Sequence, residues 1–516
     1  MIHADARAMT GVGRWTGLVP LGALLALLAV HVAGVGLDFV AAIRYPFELD
    51  YGEGIVWQQA ALIPGPRMYS SARELPFIVF HYPPLYHLVA RAALSIQPDF
   101  LTAGRLVSSL STVLIAPTVA GLVLIAARRH GQPITAIEIA WAIAAGLLVL
   151  CLHAVRSWGP MMRVDMLAVM LSMLGLLIGA WSKGRFWGTA GALLLCVAAV
   201  FTKQTQLSAG VAVFLIALLR NPRGALGAAA VAGAVGLGAL GLMEGLTGNG
   251  FLHNIVGYNI NRLSLRQGYL LFWRERASLP FMVLMLVAFV VLGRAVLPSA
   301  ARLRLGPVLR DAWALRRADQ STACRALLLL EFALATLMLS TAFKSGANYN
   351  YLLEWLCTGC VLIGVLLVDL TRSGAGSGRW LQGATLLLAL GVAVLPLRQM
   401  PDLMAKEGPA QAALVERIAA AQKPVASENM VLLMRAGKPV IFEPAIAAEL
   451  ASVGRWDEAP LVEMIRARGF ALMITTRKHS TRRTPAMEAA MMEAYPRIEH
   501  AGPRLWLHLP PSDDQQ

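Results

Sequence analysis

TGLVPLGALLALLAVHVAGVGLD, residues 16–38, is followed after a short break by FELDYGEGIVWQQA, residues 47–60. The first stretch has the length and composition to cross about 30 Å of hydrocarbon as a helix, and its single ionised side chain, Asp38, stands at its end. The second sets Glu48, Asp50 and Glu53 close together just beyond that crossing. Carboxylates held at a membrane interface are costly unless they pair, bind a metal or act on a substrate. An apolar crossing followed at once by clustered acids therefore frames the whole reading.

The same apolar pattern recurs along the chain, at 102–127, 135–155, 164–182, 186–202, 205–220, 224–243, 279–297, 326–343, 350–370 and 379–397. Of the 516 residues 57% are hydrophobic and 15% charged, against about 45–50% and 25% in soluble domains. An all-α polytopic bundle of about eleven transmembrane helices is expected. The net charge of +15 does not imply a nucleic-acid partner, because the basic residues gather in short connections between apolar runs. With the N-terminus cytoplasmic, the inner connections hold Arg128–Arg129, Lys183 and Arg185, Arg220 and Arg223, Arg372 and Arg379, and the stretch from Arg302 to Arg325. This is the positive-inside pattern. It requires that 83–97, which opens at Pro83–Pro84 and contains His87 and Arg91, lies at the interface without crossing. The first apolar stretch has no small-x-small cleavage site, so it reads as an uncleaved helix. Five cysteines fall in or beside apolar runs, and Cys357-x-x-Cys360 reads as helix packing.

The opposite face then receives the first outer loop 39–101, SWGPMMRVD near 157–165, residues 244–278, FKSGANYNY near 343–351, and the chain from 398 to 516. That tail alternates helical and strand patterns. EGPAQAALVERIAAAQ reads as an amphipathic helix, KPVASE, KPVIFEP and FALMITT as strands, and a small, largely parallel α/β extracytoplasmic domain follows. Two units are expected, a transmembrane catalytic region 1–397 and the domain 398–516. No glycine-rich phosphate loop is present.

Candidate chemistry lies on the outer side. Asp50 and Glu53 share a helix face if that segment is helical, although Asp-x-x-Glu before an apolar run is also an acidic capping box. FHYPPLYHL at 80–88 brings His81 and Tyr82 to an interfacial aromatic belt. Three polar islands stand at outer helix ends: Arg163 and Asp165; Lys203 with Gln204 and Gln206; and Lys344 with Asn348, Asn350 and Glu354. Basic residues on the outer face run against the charge bias and ask for an anionic partner, which a polyprenyl phosphate supplies.

With the acids after the first helix, Pro83-Pro84-Leu85, Ala-Gly-Arg-Leu at 103–106, Arg163-x-Asp165 and a terminal outer domain, the chain resembles the GT-C glycosyltransferases. It is similar to protein O-mannosyltransferases and the aminoarabinose transferase of lipid A, and more so to the bacterial family-39-like group. The resemblance implies inverting transfer of a sugar from a polyprenyl-phosphate donor to an envelope lipid, glycan or protein, in the bacterial inner membrane. Asp50, then Glu53, match the acid that activates the acceptor or holds a metal; Arg163, Lys203, Arg105 or Lys344 would hold the lipid phosphate. His81, Tyr82, Asp165, Asn348 and Tyr349 complete the expected pocket. Tyr51 and Gly52 separate acids that the family often has adjacent, and Tyr82 stands where the aminoarabinose type has a lysine. Hard carboxylate oxygens suit Mg²⁺ or Mn²⁺, with Asp50, Glu53 and His81 as candidate ligands. The rival readings are a transporter or flippase, which favours charges midway along spans such as Glu331, an O-antigen polymerase or ligase, and a non-catalytic scaffold.

Overall fold

The structure, a computed structural model, describes residues 11–70, 74–129, 131–259, 262–299, 305–344, 346–373, 377–398, 400–476, 482–502 and 504–511. Helix α1 (Gly11–Arg44) leads into α2 (Tyr51–Leu62) and α3 (Leu85–Ala92). There follow α4 (Phe100–Ala127), α5 (Ala136–Cys151), the short α6 (His153–Trp158), α7 (Asp165–Ser182), α8 (Phe186–Val200), α9 (Ser208–Arg220) and α10 (Pro222–Leu246). After a single turn α11 (Gly250–Leu252) come α12 (Leu265–Arg274), α13 (Leu279–Val296), α14 (Leu305–Ala314), α15 (Gln320–Met338), α16 (Leu353–Arg372) and α17 (Gly378–Ala393). Among the described residues seven helices are long and apolar enough to cross a membrane, lying in α1, α4, α7, α10, α13, α15 and α16. The segment 83–97 forms only α3 and one 3₁₀ turn, too short to cross.

Three of the expected spans in the first half of the chain stop short, and all at the same end. The run 135–155 leaves the helix at Leu152, whose backbone is extended; 186–202 ends at Val200; and 205–220 begins at Ser208. At 1.5 Å per residue these helices reach about 24, 22 and 20 Å, less than a bilayer core. The turns they forgo become the short α6 with the irregular segment 159–164 and the irregular segment 201–207. Non-helical backbone at such depth is tolerated where it is buried in protein or lines a cavity. Arg163 and Lys203 sit on these segments. The 3₁₀ turns Leu339–Phe343 and Tyr349–Tyr351 between α15 and α16 complete the same end.

The other end is basic and tied by ion pairs. Arg325 grips Asp369 through two bonds of 2.6 and 2.8 Å, and Arg372 meets Glu138 at 2.6 Å. Glu138 also closes a capping box with Thr135 at the start of α5. All five cysteines are buried and unbridged.

The tail opens with α18 (Pro401–Ala420) and continues through β1 (Ala426–Ser427), α19 (Met430–Arg435), α20 (Pro444–Ser452), α21 (Ala459–Arg466), β2 (Met473–Thr475), α22 (Pro485–Ala494), β3 (Arg497–His500) and β4 (Trp506–Leu509). Sheet order is β1-β2-β4-β3. The sheet is mixed, correcting the largely parallel one expected: β1 and β2 are parallel, whereas β4 runs antiparallel to both β2 and β3. KPVIFEP also departs from expectation. It does not join this sheet; Phe442 forms a parallel bridge with Phe77 of the first outer loop, and Phe77 N–H donates to Ile441 O at 2.7 Å. The apolar residues of that loop explain the switch. Phe77 and Val79 are buried with Phe442, Ile446, Leu461 and Phe470, while Tyr45 and Phe47 pack with Ile418, Val425 and Leu507. Tail and first loop thus share their cores.

Candidate active site

The site is built where α2 meets the loop before α7. Asp50 has extended backbone and caps α2, its Oδ1 accepting from Gly52 N–H at 2.9 Å. The cap is thereby realised but not the full capping box, since the Glu53 side chain takes Leu49 N–H in place of Asp50 N–H; the same Asp50 oxygen also receives Arg163 Nη1 at 3.3 Å. Among the described residues Oδ2 has no hydrogen-bond partner, and the side chain is 25% exposed. Gly52 makes the approach feasible: a Cβ there would lie 1.0 Å from Arg163 Nη1. Gly54, one turn-face away, lets Met430 of α19 pack at 2.9 Å from where its Cβ would be.

Glu53 faces the other way and is fully buried. Arg105 of α4 meets it in a fork, Nε to Oε1 at 2.8 Å and Nη2 to Oε2 at 2.7 Å, and Leu49 and Met162 N–H donate to it at 2.7 and 2.8 Å. The remaining Arg105 donors go to the carbonyls of Ala42, Tyr45 and Phe47 at 2.5–2.6 Å. Neither group is presented to a ligand. Arg105, expected among the phosphate ligands, instead fastens the end of α1 to α2, because its guanidinium has no exposed face. Glu53, expected beside Asp50 in the chemistry, is consumed as its partner.

Asp165, also fully buried, organises the cations. Its Oδ1 takes Lys203 Nζ at 2.7 Å and Asn350 Nδ2 at 3.0 Å, and its Oδ2 takes Trp158 Nε1 at 2.8 Å with Arg163 Nε at 3.7 Å. Arg163 also donates to Tyr82 Oη at 3.2 Å and lies over the Trp158 ring at 5.5 Å. Lys203 donates to Asn350 O at 3.3 Å and stands 5.0 Å from the Tyr351 ring. Asp50, Arg163, Asp165 and Lys203 form a row of alternating charge across the breaks in the helices. Arginine and lysine held by one buried carboxylate keep their positions without an induced rearrangement, which suits them to an anion.

The other expected residues fall around this row. His81 Nε2 meets Glu443 of the tail at 2.9 Å, and Tyr51 Oη donates to the same carboxylate at 2.9 Å. Asn348 caps its 3₁₀ turn through Tyr349 N–H, and the Tyr349 ring stands edge-on to His153 at 5.0 Å and Trp158 at 6.4 Å. Lys344 lies apart, half-buried, its ammonium without an ion pair or hydrogen bond among the described residues. Asp50, Glu53 and His81 do not converge, so they do not form the metal site considered for them. Among the described residues no group of three His, Cys, Asp or Glu is placed to hold a metal, and Glu53 has no free oxygen to offer one.

Sequence reasoning missed Glu443, Trp158 and Arg482, whose guanidinium covers the Tyr51 ring at 3.8 Å. Glu443 precedes Pro444 and caps α20, accepting from Ile446 N–H at 3.3 Å. Its capping pattern was visible; its reach to His81 and Tyr51 was not. Glu48 turns inward with one buried oxygen unbonded among the described residues. Burial first, then the charge of Asp50, pushes its carboxyl well above the usual range.

Comparison of the sequence with protein-family models and with curated proteins gives no match. Comparison of the structure does. ArnT from Cupriavidus metallidurans bound to undecaprenyl phosphate superposes with TM-score 0.54 at 13% identity, over 95% of this chain and 99% of that one. The fold is GT-C. The same ArnT in the apo state gives 0.45 at 15% identity, over 95% and 99%. The Archaeoglobus fulgidus oligosaccharyltransferase in the apo form gives 0.49 at 10%, over 89% of this chain and 69% of that one. At such identities the likeness is one of fold. Within a GT-C bundle the loop-rich end, with its tail domain, is the end that carries the row from Asp50 to Lys203.

Proposed function

We propose that this chain is a membrane glycosyltransferase that moves a sugar from a polyprenyl phosphate to an envelope lipid, glycan or protein acceptor. It would act with inversion at the extracytoplasmic face of the bacterial inner membrane, its N-terminus cytoplasmic and residues 398–516 outside. One observation carries the reading. A partly exposed carboxylate with one oxygen free among the described residues, Asp50, adjoins two cations that a buried carboxylate, Asp165, holds in place.

The chemistry follows from the leaving group. A glycosidase needs an acid to protonate an alkoxide, whereas a lipid phosphate leaves as a stable anion and needs charge stabilisation. Asp50 Oδ2 would accept the acceptor hydroxyl's proton as that oxygen attacks the anomeric carbon, an effect of about 10²–10⁴ in rate. Arg163 and Lys203 would take the phosphate oxygens, with Lys344, unpaired among the described residues, as a reserve of charge near the same end. Asp165 and Asn350 act as positioning residues. The long 3.3 Å contact between Asp50 and Arg163 is the one an incoming phosphate would loosen, freeing the base as the cation is engaged.

The test incubates purified protein with radiolabelled polyprenyl-phosphate sugars and envelope acceptors and follows transfer. Asp50→Asn is expected to abolish transfer while the protein still inserts and binds undecaprenyl phosphate. Near-normal turnover by that variant would overturn the assignment.

A further inference from the structure

The connection between α10 and α13 carries a helix, α12, that the row from Asp50 to Lys203 does not use. At 1.5 Å per residue its ten residues reach about 15 Å, too short to cross hydrocarbon. After the 3₁₀ turn Arg276–Ser278 the chain enters the span α13 directly, so α12 is held at the depth where a crossing begins. One side of it is fastened to the loop-rich end of the bundle. Ser264 N–H donates to Phe343 O at 2.6 Å and Gln267 Nε2 to Ala347 O at 2.7 Å, while a Cβ on Gly268 would stand 2.2 Å from the Phe343 ring. Glu275, the only acid between residues 262 and 278, is buried; it meets His153 Nδ1 at 3.0 Å and accepts from Ser278 Oγ at 2.8 Å.

The other side points outward. Leu265, Tyr269 and Trp273 stand four residues apart on one face and are 73, 64 and 55% exposed. The Tyr269 and Trp273 rings stack at 6.3 Å, and the Arg276 guanidinium lies over Trp273 at 5.3 Å. Leu279, also exposed, carries the apolar strip onto α13, where Val283 and Val287 continue it down the span. On a membrane-crossing helix such a face meets acyl chains, so the strip of α12 is the upper edge of a lipid-facing surface. Tyrosine and tryptophan favour that edge, where an apolar ring and a polar tip are both accommodated. Cations flank the strip. Arg266, Arg274 and Arg276 are exposed, and none forms an ion pair among the described residues. Three uncompensated guanidinium groups beside a lipid-facing strip suit headgroup phosphates. A zwitterionic headgroup brings its own ammonium, whereas an anionic one brings the net charge that these cations lack.

We infer that the outward face of α12 is a docking surface for anionic phospholipid headgroups, with Arg266, Arg274 and Arg276 on the phosphates and Tyr269 and Trp273 set in the interface. It stands independently of the glycosyltransferase reading, since no residue of the row from Asp50 to Lys203 takes part.

The experiment titrates the whole protein, in a nonionic detergent, with acyl-labelled phosphatidylglycerol and phosphatidylcholine. The natural protein is expected to hold phosphatidylglycerol about tenfold or more tighter, at roughly fivefold per arginine near an anionic surface. The preference should shrink as salt rises toward about 1 M, where charges are screened beyond about 3 Å. The combined variant Arg266→Gln, Arg274→Gln, Arg276→Gln should lose the preference with an unchanged melting temperature, because all three side chains are exposed. Lysine at the same three positions should keep most of it. Equal binding of the two lipids by the natural protein, or a natural preference in the glutamine variant, would overturn the inference. So would displacement of the labelled lipid by undecaprenyl phosphate at lower concentration than by phosphatidylglycerol itself, which would give the face to the donor lipid. Depth is read separately. The five native cysteines are buried, so Tyr269→Cys accepts a single fluorophore. In vesicles of both lipids its emission should be quenched by chains brominated near the headgroup; emission that stays unquenched means water or a protein partner covers the face, and the inference fails.

Discussion

Glu53 and Asp50 stand three residues apart, and each meets an arginine from another part of the chain. The Glu53–Arg105 pair is fully buried, forked, and satisfied on every side by backbone groups of α1, the α1–α2 connection and the loop before α7. The Asp50–Arg163 pair is long, partly exposed, and leaves one carboxylate oxygen free among the described residues. Both are acid–arginine contacts at one helix start, yet the first has nothing left to give a ligand and the second is under-committed. Saturation, more than residue type or spacing, separates the structural acid from the chemical one.

The largest effect should come from cutting the saturated pair. Glu53→Ala or Arg105→Ala strands a buried charge, a loss of about 3–5 kcal/mol, and thermal unfolding in detergent should show each variant severely destabilised or absent. The double variant should lose clearly less than the two singles together, and simple additivity would dissolve the pair as a unit. Next comes Asp50. Asp50→Asn and Asp50→Ser should each lose about 10²–10⁴ of transfer, with stability changed by no more than about 1 kcal/mol, since serine keeps the cap. Recovery of transfer by the serine variant would make Asp50 a cap and nothing more.

A third variant acts on the geometry that lets the under-committed pair form. Gly52→Ala puts a methyl where the Arg163 guanidinium lies, so undecaprenyl phosphate should bind roughly ten- to hundredfold more weakly, the worth of one charge-assisted hydrogen bond. Unchanged affinity would remove Arg163 from the phosphate site. The smallest effect is a pH dependence on the buried side. His87, fully buried with Nε2 at 3.1 Å from Gln59 Oε1, has its pKa lowered by burial from 6.5 to about 4. The native protein keeps it neutral while the unfolded chain takes a proton. Its contribution is therefore complete above pH 6.5 and lost as pH falls toward 4, about 1.4 kcal/mol by pH 5.5. His87→Gln should flatten melting temperature across that window, and an unchanged slope would mean that His87 protonates in place.

What was legible in the sequence was whatever local energetics enforce. Apolar runs must be helical in lipid because each backbone polar group needs an internal partner, so every expected span contains a helix, and the Pro83–Pro84 segment is too short to cross. Sequence also marked Arg163, Asp165 and Lys203 as polar islands at helix ends, and Asp50 as a cap. It did not reveal that Glu53 would find Arg105, 52 residues on, or that Glu443 would reach back 392 residues to Tyr51. Nor did it show the antiparallel return of β4, or where α5, α8 and α9 would break. Propensity and hydropathy act over a turn or two, whereas these outcomes depend on which groups folding brings within 3 Å. Sequence alone determined that this chain threads a membrane with basic connections at one end and mixed acids and cations at the other. Only the tertiary structure decided which of those charges are spent on each other and which remain open to a ligand.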